Sequence, residues 1–296
     1  MKESENLSAN PKGKEREVVA VTELISYESI SSFKNDVVPF LEYHEAENSL
    51  ILGLLLNVKK EITPRLMAAI KEEGKPVLVL FQTIPRHIVL SKPGDIKAEK
   101  AAQLMLDTLD EIPGLVGEKE FTSQLAEQIE KANGRNSKVN MQQRIYQLRE
   151  LEKLPRDSGR LVKVDRRDLD LVIQFVYQFG QETGETMNMA ESEEKAREFL
   201  RMETLYGWEV GGRLISVANI ARPTRTNATV NFVYTPPDER KKGYATDCVA
   251  ALTRLLLNKG YLSTTLYTDL DNPTSNKIYM EIGYKPIMDS IVILFD

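Results

Sequence analysis

The chain has 296 residues, 42% of them apolar, with 39 basic and 44 acidic side chains and a formal net charge of −5 at pH 7. Such a length allows two domains, and such an apolar share allows packed cores rather than wholesale disorder. The acidic balance argues against a general nucleic-acid binder, which carries a strongly basic footprint; a small anionic ligand on a local basic patch stays compatible with it. The one cysteine, Cys248, excludes an intramolecular disulfide. Two histidines, His44 and His87, with no Cys/His cluster argue against a structural zinc site, so no metal is expected. The opening MKESENLSANPKGKERE lacks the apolar stretch of a signal peptide, and the longest apolar run, LILGLLL at 50–56, is too short for a bilayer. The expectation is a cytoplasmic protein, monomeric or homodimeric, without a membrane or nucleic-acid partner.

Residues 1–17 read as a disordered, solvated tail. From Asp36 to Leu56 the apolar residues fall at helical intervals, for one or two helices. KPVLVLFQT (75–83) and RHIVLSK (86–92) read as strands, and PGDIKAEKAAQLMLDTLDEI (93–112) as a helix capped at Asp95. A further helix over 117–134 stops at Asn133-Gly134, and NMQQRIYQLREL (140–151) is strand-like. The charged EKLPRDSGR (152–160) is placed as a boundary between an N-terminal α/β domain, 18–152, and a second domain, 160–296.

In that second domain RLVKV (160–164) alternates like a strand. Val172, Phe175, Val176 and Phe179 follow helical spacing within 168–184, and another helix covers about 191–203. Three strands follow, at 205–210, 213–220 and 228–234, the first two joined by the hairpin signal Gly211-Gly212. A helix begins near Tyr244, with Ala245, Cys248, Val249, Leu252, Leu255 and Leu256 on one face. A strand at 262–270, a short helix at 272–283 and a closing strand at 290–296 complete the order. Hairpin-linked strands followed by a β-α-β unit give a mixed, mostly antiparallel sheet flanked by helices, α/β or α+β in class.

The stretch TPPDERKKGYATDC (235–248) puts a strand end, three cations and a glycine immediately before a helix. The first N–H groups of a helix lack internal partners and its dipole favours negative charge there, so the stretch reads either as a seat for one or two phosphates or as a solvated basic turn before an ordinary helix. Gly243 admits close backbone approach, and Arg240, Lys241 and Lys242 add attraction. Pro236 and Pro237 offer no N–H to a neighbouring strand, so the sheet should splay there and leave Phe232, Val233 and Tyr234 free to pair with an extended ligand. The Lys-Ser/Thr of a P-loop is absent. Downstream, Asn272 and Tyr279 lie seven residues apart, on roughly one side of a short helix.

Together, VYTPPDERKKGYATDCVAALTRLLL and LYTDLDNPTSNKIYMEIGYKP resemble the GCN5-related N-acetyltransferases over roughly residues 160–296. The resemblance implies the acyl-CoA N-acyltransferase fold, with acetyl-coenzyme A as acyl donor in a cleft between splayed strands and a small-molecule or protein amine as acceptor. It implies that Phe232, Val233, Tyr234 and Thr235 flank the pantetheine arm and that Arg240, Lys241, Lys242, Gly243, Tyr244 and Ala245 wrap the pyrophosphate, with Thr246 adding a hydroxyl. Asn272 would bond the pantetheine, and Tyr279 would protonate the departing thiolate. For the base, Glu182, Glu185 and Glu209 are the candidates, Glu182 first; Asn231, where a strand carboxylate is expected, cannot act as one. Cys248 reads as a buried small hydrophobe rather than a nucleophile, and Trp208 as packing.

Residues 18–150 faintly echo the same element order, but SKPGDIKAEKAA (91–102) lacks the Arg-x-x-Gly-x-Ala spacing and no tyrosine matches Tyr279. A degenerate acetyltransferase-like domain, giving a tandem arrangement, is one reading and an unrelated α/β domain the other. The function expected of the chain is amine acetylation by direct attack in a ternary complex. The alternatives are a non-catalytic coenzyme A sensing module and a ligand-free interaction scaffold.

Overall fold

The computed structural model describes residues 21–59, 61–184 and 186–296. The tail expected at 1–17 and the candidate Glu185 lie outside them. The first half runs β1 (Thr22–Ser26), α1 (Ile30–Tyr43), α2 (Ser49–Leu56), β2 (Leu66–Glu72), β3 (Lys75–Gln82), β4 (Ile88–Leu90), α3 (Ala98–Thr108), β5 (Gly114–Glu118), α4 (Lys119–Asn133) and β6 (Ser137–Leu148). The second half runs β7 (Arg160–Lys163), α5 (Leu169–Thr183), α6 (Met189–Met202), β8 (Leu205–Val210), β9 (Arg213–Ala221), β10 (Asn227–Tyr234), α7 (Tyr244–Asn258), β11 (Ser263–Asp269), α8 (Pro273–Ile282) and β12 (Lys285–Phe295). Helix for helix and strand for strand, the second half repeats the first.

The twelve strands among the described residues form one sheet in the order β1-β2-β3-β4-β5-β12-β6-β11-β10-β9-β8-β7. Replacing each strand by its counterpart in the other half returns the same order read backwards, so a pseudo-twofold axis passes between β6 and β12. These two pair antiparallel, as such an axis requires, and Arg144 faces Asp289 across them in a two-pronged ion pair of 2.6 and 2.9 Å. Each half has given its last strand to the other: β12 pairs with β5, and β6 pairs with β11. Only β4–β5 and β10–β11 run parallel; the rest of the sheet is antiparallel, the class expected.

Helices cover both faces. Ile291, Ile293 and Phe295 of β12 pack with α3 and α4, while Val292 packs with α1 and α2. Tyr146 and Leu148 of β6 pack with α7 and α8, while Met141, of opposite parity on that strand, lies against α1 and α2. Thus α3, α4, α7 and α8 share one face, and α1 and α2 lie on the other. The α1–α2 turn reaches across the axis. Glu45 accepts bonds from the Thr226 N–H (2.9 Å), the Thr224 hydroxyl (2.7 Å) and the Thr226 hydroxyl of the β9–β10 loop.

Local chemistry explains most boundaries. A reciprocal capping box of Asn188 and Glu191 opens α6. Gly211 and Gly212, both at positive φ, turn β8 into β9. Three strands escape the sequence reading: β1 and β5 have five residues each without clean alternation, and β2, buried along its middle, does not alternate either, although Glu73-Gly74, both at positive φ, turns it into β3. Helix α3 begins at Ala98 behind Lys97, without a side-chain cap. Asp95 is not its cap, because residues 94–96 form a turn instead, with the Gly94 N–H bonded to the Val77 carbonyl and the Ile96 N–H to the Gly94 carbonyl.

Candidate active site

The cleft of the second half starts where two parallel strands part. β10 and β11 pair only through Asn227–Thr229 and Ser263–Thr265; β11 then continues along β6 as far as Asp269. Beyond Thr229, β10 keeps its β9 neighbour but has a free edge toward β11. The parting precedes Pro236 and Pro237 by several residues, so the prolines do not cause it. Just beyond the branch point β10 bulges: register with β9 shifts between Asn231 and Tyr234, and Phe232 takes a left-handed backbone, φ 47°. That conformation costs about 1–3 kcal/mol in a non-glycine residue. Aromatic packing holds it, with Phe232 5.0 Å from Phe199 and 5.1 Å from Phe179, and Tyr234 5.3 Å from Phe175. Val233 packs on the opposite, α7 side.

The strand then leads through Thr235 and a short helical turn, Pro237–Glu239, to the basic loop. Lys241 and Gly243 both take positive φ, 62° and 84°, and α7 begins at Tyr244 without a side-chain cap. Its first N–H groups therefore open toward the loop. Arg240 donates from Nε to the Thr235 carbonyl (2.8 Å), lies over the Tyr234 ring and grips both Glu182 oxygens at 2.7 Å. Lys242 pairs with Glu239 at 2.8 Å. Tyr244 and Ala245 are half-buried in the first turn, and Thr246 is buried.

An unforeseen residue completes the loop. Arg156, in the segment joining the halves, donates to the Lys242 carbonyl (2.6 Å) and to the buried Asp247 carboxylate, nearest at 2.7 Å. A Cβ on Gly243 would sit 2.7 Å from its guanidinium, which would have to shift, while the positive φ of 84° is what favours glycine there. Without Arg156, Asp247 would set an unpaired negative charge in the first turn of the helix that should attract an anion.

On the far side of the wedge, Asn272 opens α8, its side-chain oxygen accepting the Ser275 N–H at 3.0 Å. Tyr279 is 7% exposed, between Tyr146 and Tyr284. Burial first, and then Tyr284, push its phenol well above the usual 10, so it is a neutral hydrogen-bond donor and a weaker acid than a solvated tyrosine. Tyr146 comes from β6, the strand lent by the first half, and donates to Asn276 at 2.9 Å. The site therefore uses both halves.

The two candidate bases among the described residues are tied down. Glu182 is held by Arg240, and Glu209 by Arg160 at 2.7 Å. The Asn231 side chain accepts a bond from Asn219 at 2.8 Å. Cys248 is fully buried, and burial pushes its thiol up to about 12, which suits packing and not nucleophilic attack. Trp208 is buried in the α7 core. His44 lies beside Glu47 in the first half, and burial lowers the His87 imidazole. Neither belongs to the wedge. Among the described residues no His/Cys/Asp/Glu group could hold a metal ion, and no helix is long and apolar enough to cross a membrane.

The matching place in the first half is closed. β4 and β5 also part, after Val89 and Val116. The next free N–H, on Lys92, is taken by the buried Asn48 side chain at 2.7 Å, while Glu47 pairs with the Lys92 ammonium at 2.9 Å. Leu50 and Ile51 of α2 and Tyr267 help to fill the gap, leaving a void of ≈ 10 Å³, room for one water at most.

The profile of the Acetyltransferase (GNAT) family matches residues 173–284. No curated protein matches the chain. Among solved structures, a GNAT-family acetyltransferase from Colwellia psychrerythraea superposes with a TM-score of 0.60 at 13% identity, over 92% of this chain and 99% of that one. A Drosophila protein gives 0.62 at 14% identity, over 92% and 98%. A tandem GNAT protein from the clavulanic acid biosynthesis pathway gives 0.53 at 12% identity, over 93% and 98%. At such identities the likeness is one of fold, and it spans both halves. Residues 173–284 thus match the Acetyltransferase (GNAT) profile, within a fold like that of these solved structures.

Proposed function

We propose that the second half, residues 160–296, is an acetyl-coenzyme A-dependent N-acetyltransferase acting on a primary amine, and that the first half, 18–152, is a degenerate copy that completes its sheet. The observation that carries the reading is the free β10 edge from Val230 to Tyr234 standing beside the uncapped start of α7. The donor's chemistry fits both features. Its pantetheine amides need an extended partner strand. Its pyrophosphate needs helix N–H groups, a bare Gly243 and the Arg240, Lys241 and Lys242 charges.

The thioester supplies an activated acyl group. The chain's residues orient it along Phe232–Thr235, seat the phosphates between Arg240 and Thr246, and bring Asn272 to the pantetheine. Charge developing on the carbonyl oxygen is met by a backbone N–H of the bulge near Val233. Tyr279 donates a hydrogen bond to the departing sulfur as a neutral phenol. A free thiol has a pKa of about 8.5, so the sulfur leaves largely unaided, and the tyrosine affects rate more than the existence of activity. With Asn231 in the strand position and Glu182 engaged, no carboxylate among the described residues is poised as a direct base. An amine deprotonated by solvent, or through Glu182 after its release from Arg240, meets that need.

The same lack of a poised base favours a second reading, a coenzyme A-binding module without turnover. Acetyl-coenzyme A should raise the melting temperature by mass action; no shift at saturation overturns both readings. Turnover with a panel of amines selects the first. Tyr279→Phe should lower kcat about tenfold to a hundredfold with donor affinity unchanged. An unchanged rate of thiol release across pH removes Tyr279 from the mechanism.

A further inference from the structure

The charges of the basic loop are mostly spoken for. Arg240 holds Glu182 and Lys242 holds Glu239, so of the loop's three cations only Lys241 lacks an ion pair among the described residues. An anion seated here therefore leans on backbone N–H groups. The first bond of α7 runs from the Asp247 N–H to the Gly243 carbonyl, at 3.1 Å. The N–H groups of Gly243, Tyr244, Ala245 and Thr246 have no partner among the described residues, and Gly243 is exposed. With Lys241 and Gly243 both at positive φ, such a run of successive N–H groups makes a concave seat for an anion.

Two things would spoil that seat. A glycine peptide rotates easily, which would turn a carbonyl toward the anion. Asp247, 2% exposed, also sets a carboxylate in the first turn of the helix. Arg156 meets both. Its Nη2 receives the Lys242 carbonyl at 2.6 Å. The peptide bond is trans, so the Gly243 N–H points the opposite way from that carbonyl, away from Arg156. The same guanidinium binds Asp247 through Nε at 3.0 Å and Nη2 at 2.7 Å, and the Arg156 backbone N–H adds a bond of 3.1 Å.

Arg156 is itself held from outside the loop. Its segment, 149–159, is tied to the end of α8, where the Glu152 N–H bonds the Ile282 carbonyl at 3.0 Å. It is packed at its other end on β8, where a Cβ on Gly159 would lie 2.6 Å from the Trp208 Nε1. The segment that joins the halves thus runs from the end of α8 past the start of α7 to the sheet. It precedes the 173–284 stretch matched by the family profile.

We infer that Arg156 is a positioning residue for the donor's pyrophosphate. By fixing the Lys242 carbonyl it aims the Gly243 N–H, with those of Tyr244 to Thr246, at the phosphates, and by pairing with Asp247 it removes a charge that would repel them. The inference rests on the acyl-transfer reading above and adds to it a control of donor affinity by the segment between the halves.

The test titrates acetyl-coenzyme A calorimetrically into the full chain and three variants. Arg156→Gln should bind about tenfold or more weakly. Asp247→Asn, which removes the charge and leaves Arg156 in place, should bind at least as tightly as the unaltered protein. Arg156→Gln/Asp247→Asn should fall between, recovering about threefold or more over Arg156→Gln. Added salt screens charge repulsion, so the gap between Arg156→Gln and the double variant should narrow at high salt, an effect that loss of packing alone would not produce. Unaltered affinity in Arg156→Gln, or a loss that Asp247→Asn does not relieve, overturns the inference alone. If Arg156→Gln fails to fold, the double variant, free of an unpaired buried carboxylate, decides: it should still bind several times more weakly than the unaltered protein, and equal affinity overturns the inference. Failure of the unaltered chain to bind acetyl-coenzyme A overturns the acyl-transfer reading, and this one with it.

Discussion

The two halves share an element order and a place in the sheet, yet one cleft is open and the other is filled. In the second half the strand beside the fork bulges at Phe232, and its edge is left unpaired. In the first half β4 has no bulge, and the corresponding N–H, on Lys92, is satisfied by Asn48. The contrast shows that topology supplies a fork in both halves, while a few side chains decide whether it becomes a binding edge or a packed joint. An unpaired strand edge is costly to bury and easy to plug. The first half has plugged it, and its α1–α2 segment is instead used to brace the second.

Separating the halves should break the comparison most completely. Residues 160–296 alone lack β6, so β11 and β12 lose their common partner. Circular dichroism and solubility should show no folded domain, whereas co-expression with residues 1–152 should restore one; a stable, soluble isolated half would show that the exchanged strands are dispensable. Next in size, Gly243→Val meets both a left-handed φ, worth about 1–2 kcal/mol, and the Arg156 guanidinium. Acetyl-coenzyme A affinity should fall about tenfold or more, while Gly94→Val, at the matching place in the closed half, should leave it unchanged. A calorimetric titration of both variants makes the comparison.

Asn48→Leu should destabilise the protein by about 1–3 kcal/mol, because the Lys92 N–H and the Leu41 carbonyl lose their partner. Denaturant unfolding measures it, and donor binding in the other half should not follow. The smallest effect is expected at Glu182, which competes for Arg240 with any bound phosphate. Both side chains of this pair are about 40% exposed, so the pair is weak. Glu182→Gln should tighten acetyl-coenzyme A binding by about two- to fivefold, and weaker binding would mean that Glu182 positions Arg240 rather than competing for it.

Much of the second half can be read from residues alone. Gly211-Gly212 marks its hairpin, the spacing from Val172 to Phe179 its first long helix, and Asn272, Pro273 and Gly283 the limits of α8. The basic loop and its glycine stand out for the same reason: local backbone chemistry leaves local signatures. What stays hidden depends on contacts between distant segments. Nothing in ATVNFVY marks the bulge at Phe232, because the strain is held by Phe179 and Phe199 of α5 and α6. Nothing in LPRDSGR separates Arg156 from a solvated linker cation, because Asp247 lies 91 positions away. The exchange of β6 and β12 is invisible for the same reason, since either strand would satisfy the same alternation in its own half.

That exchange also dictates an order of events during synthesis. β5 pairs with β4 on one side and must wait for β12, residues 285–295, on the other. Until β12 has left the ribosome, the first half carries an open sheet edge and an apolar face that Ile291, Ile293 and Phe295 will later cover. The usual vectorial route, in which an N-terminal domain folds before the next is made, is closed to this protein. Its two halves mature together in a late step of high sequence separation, which predicts slow folding.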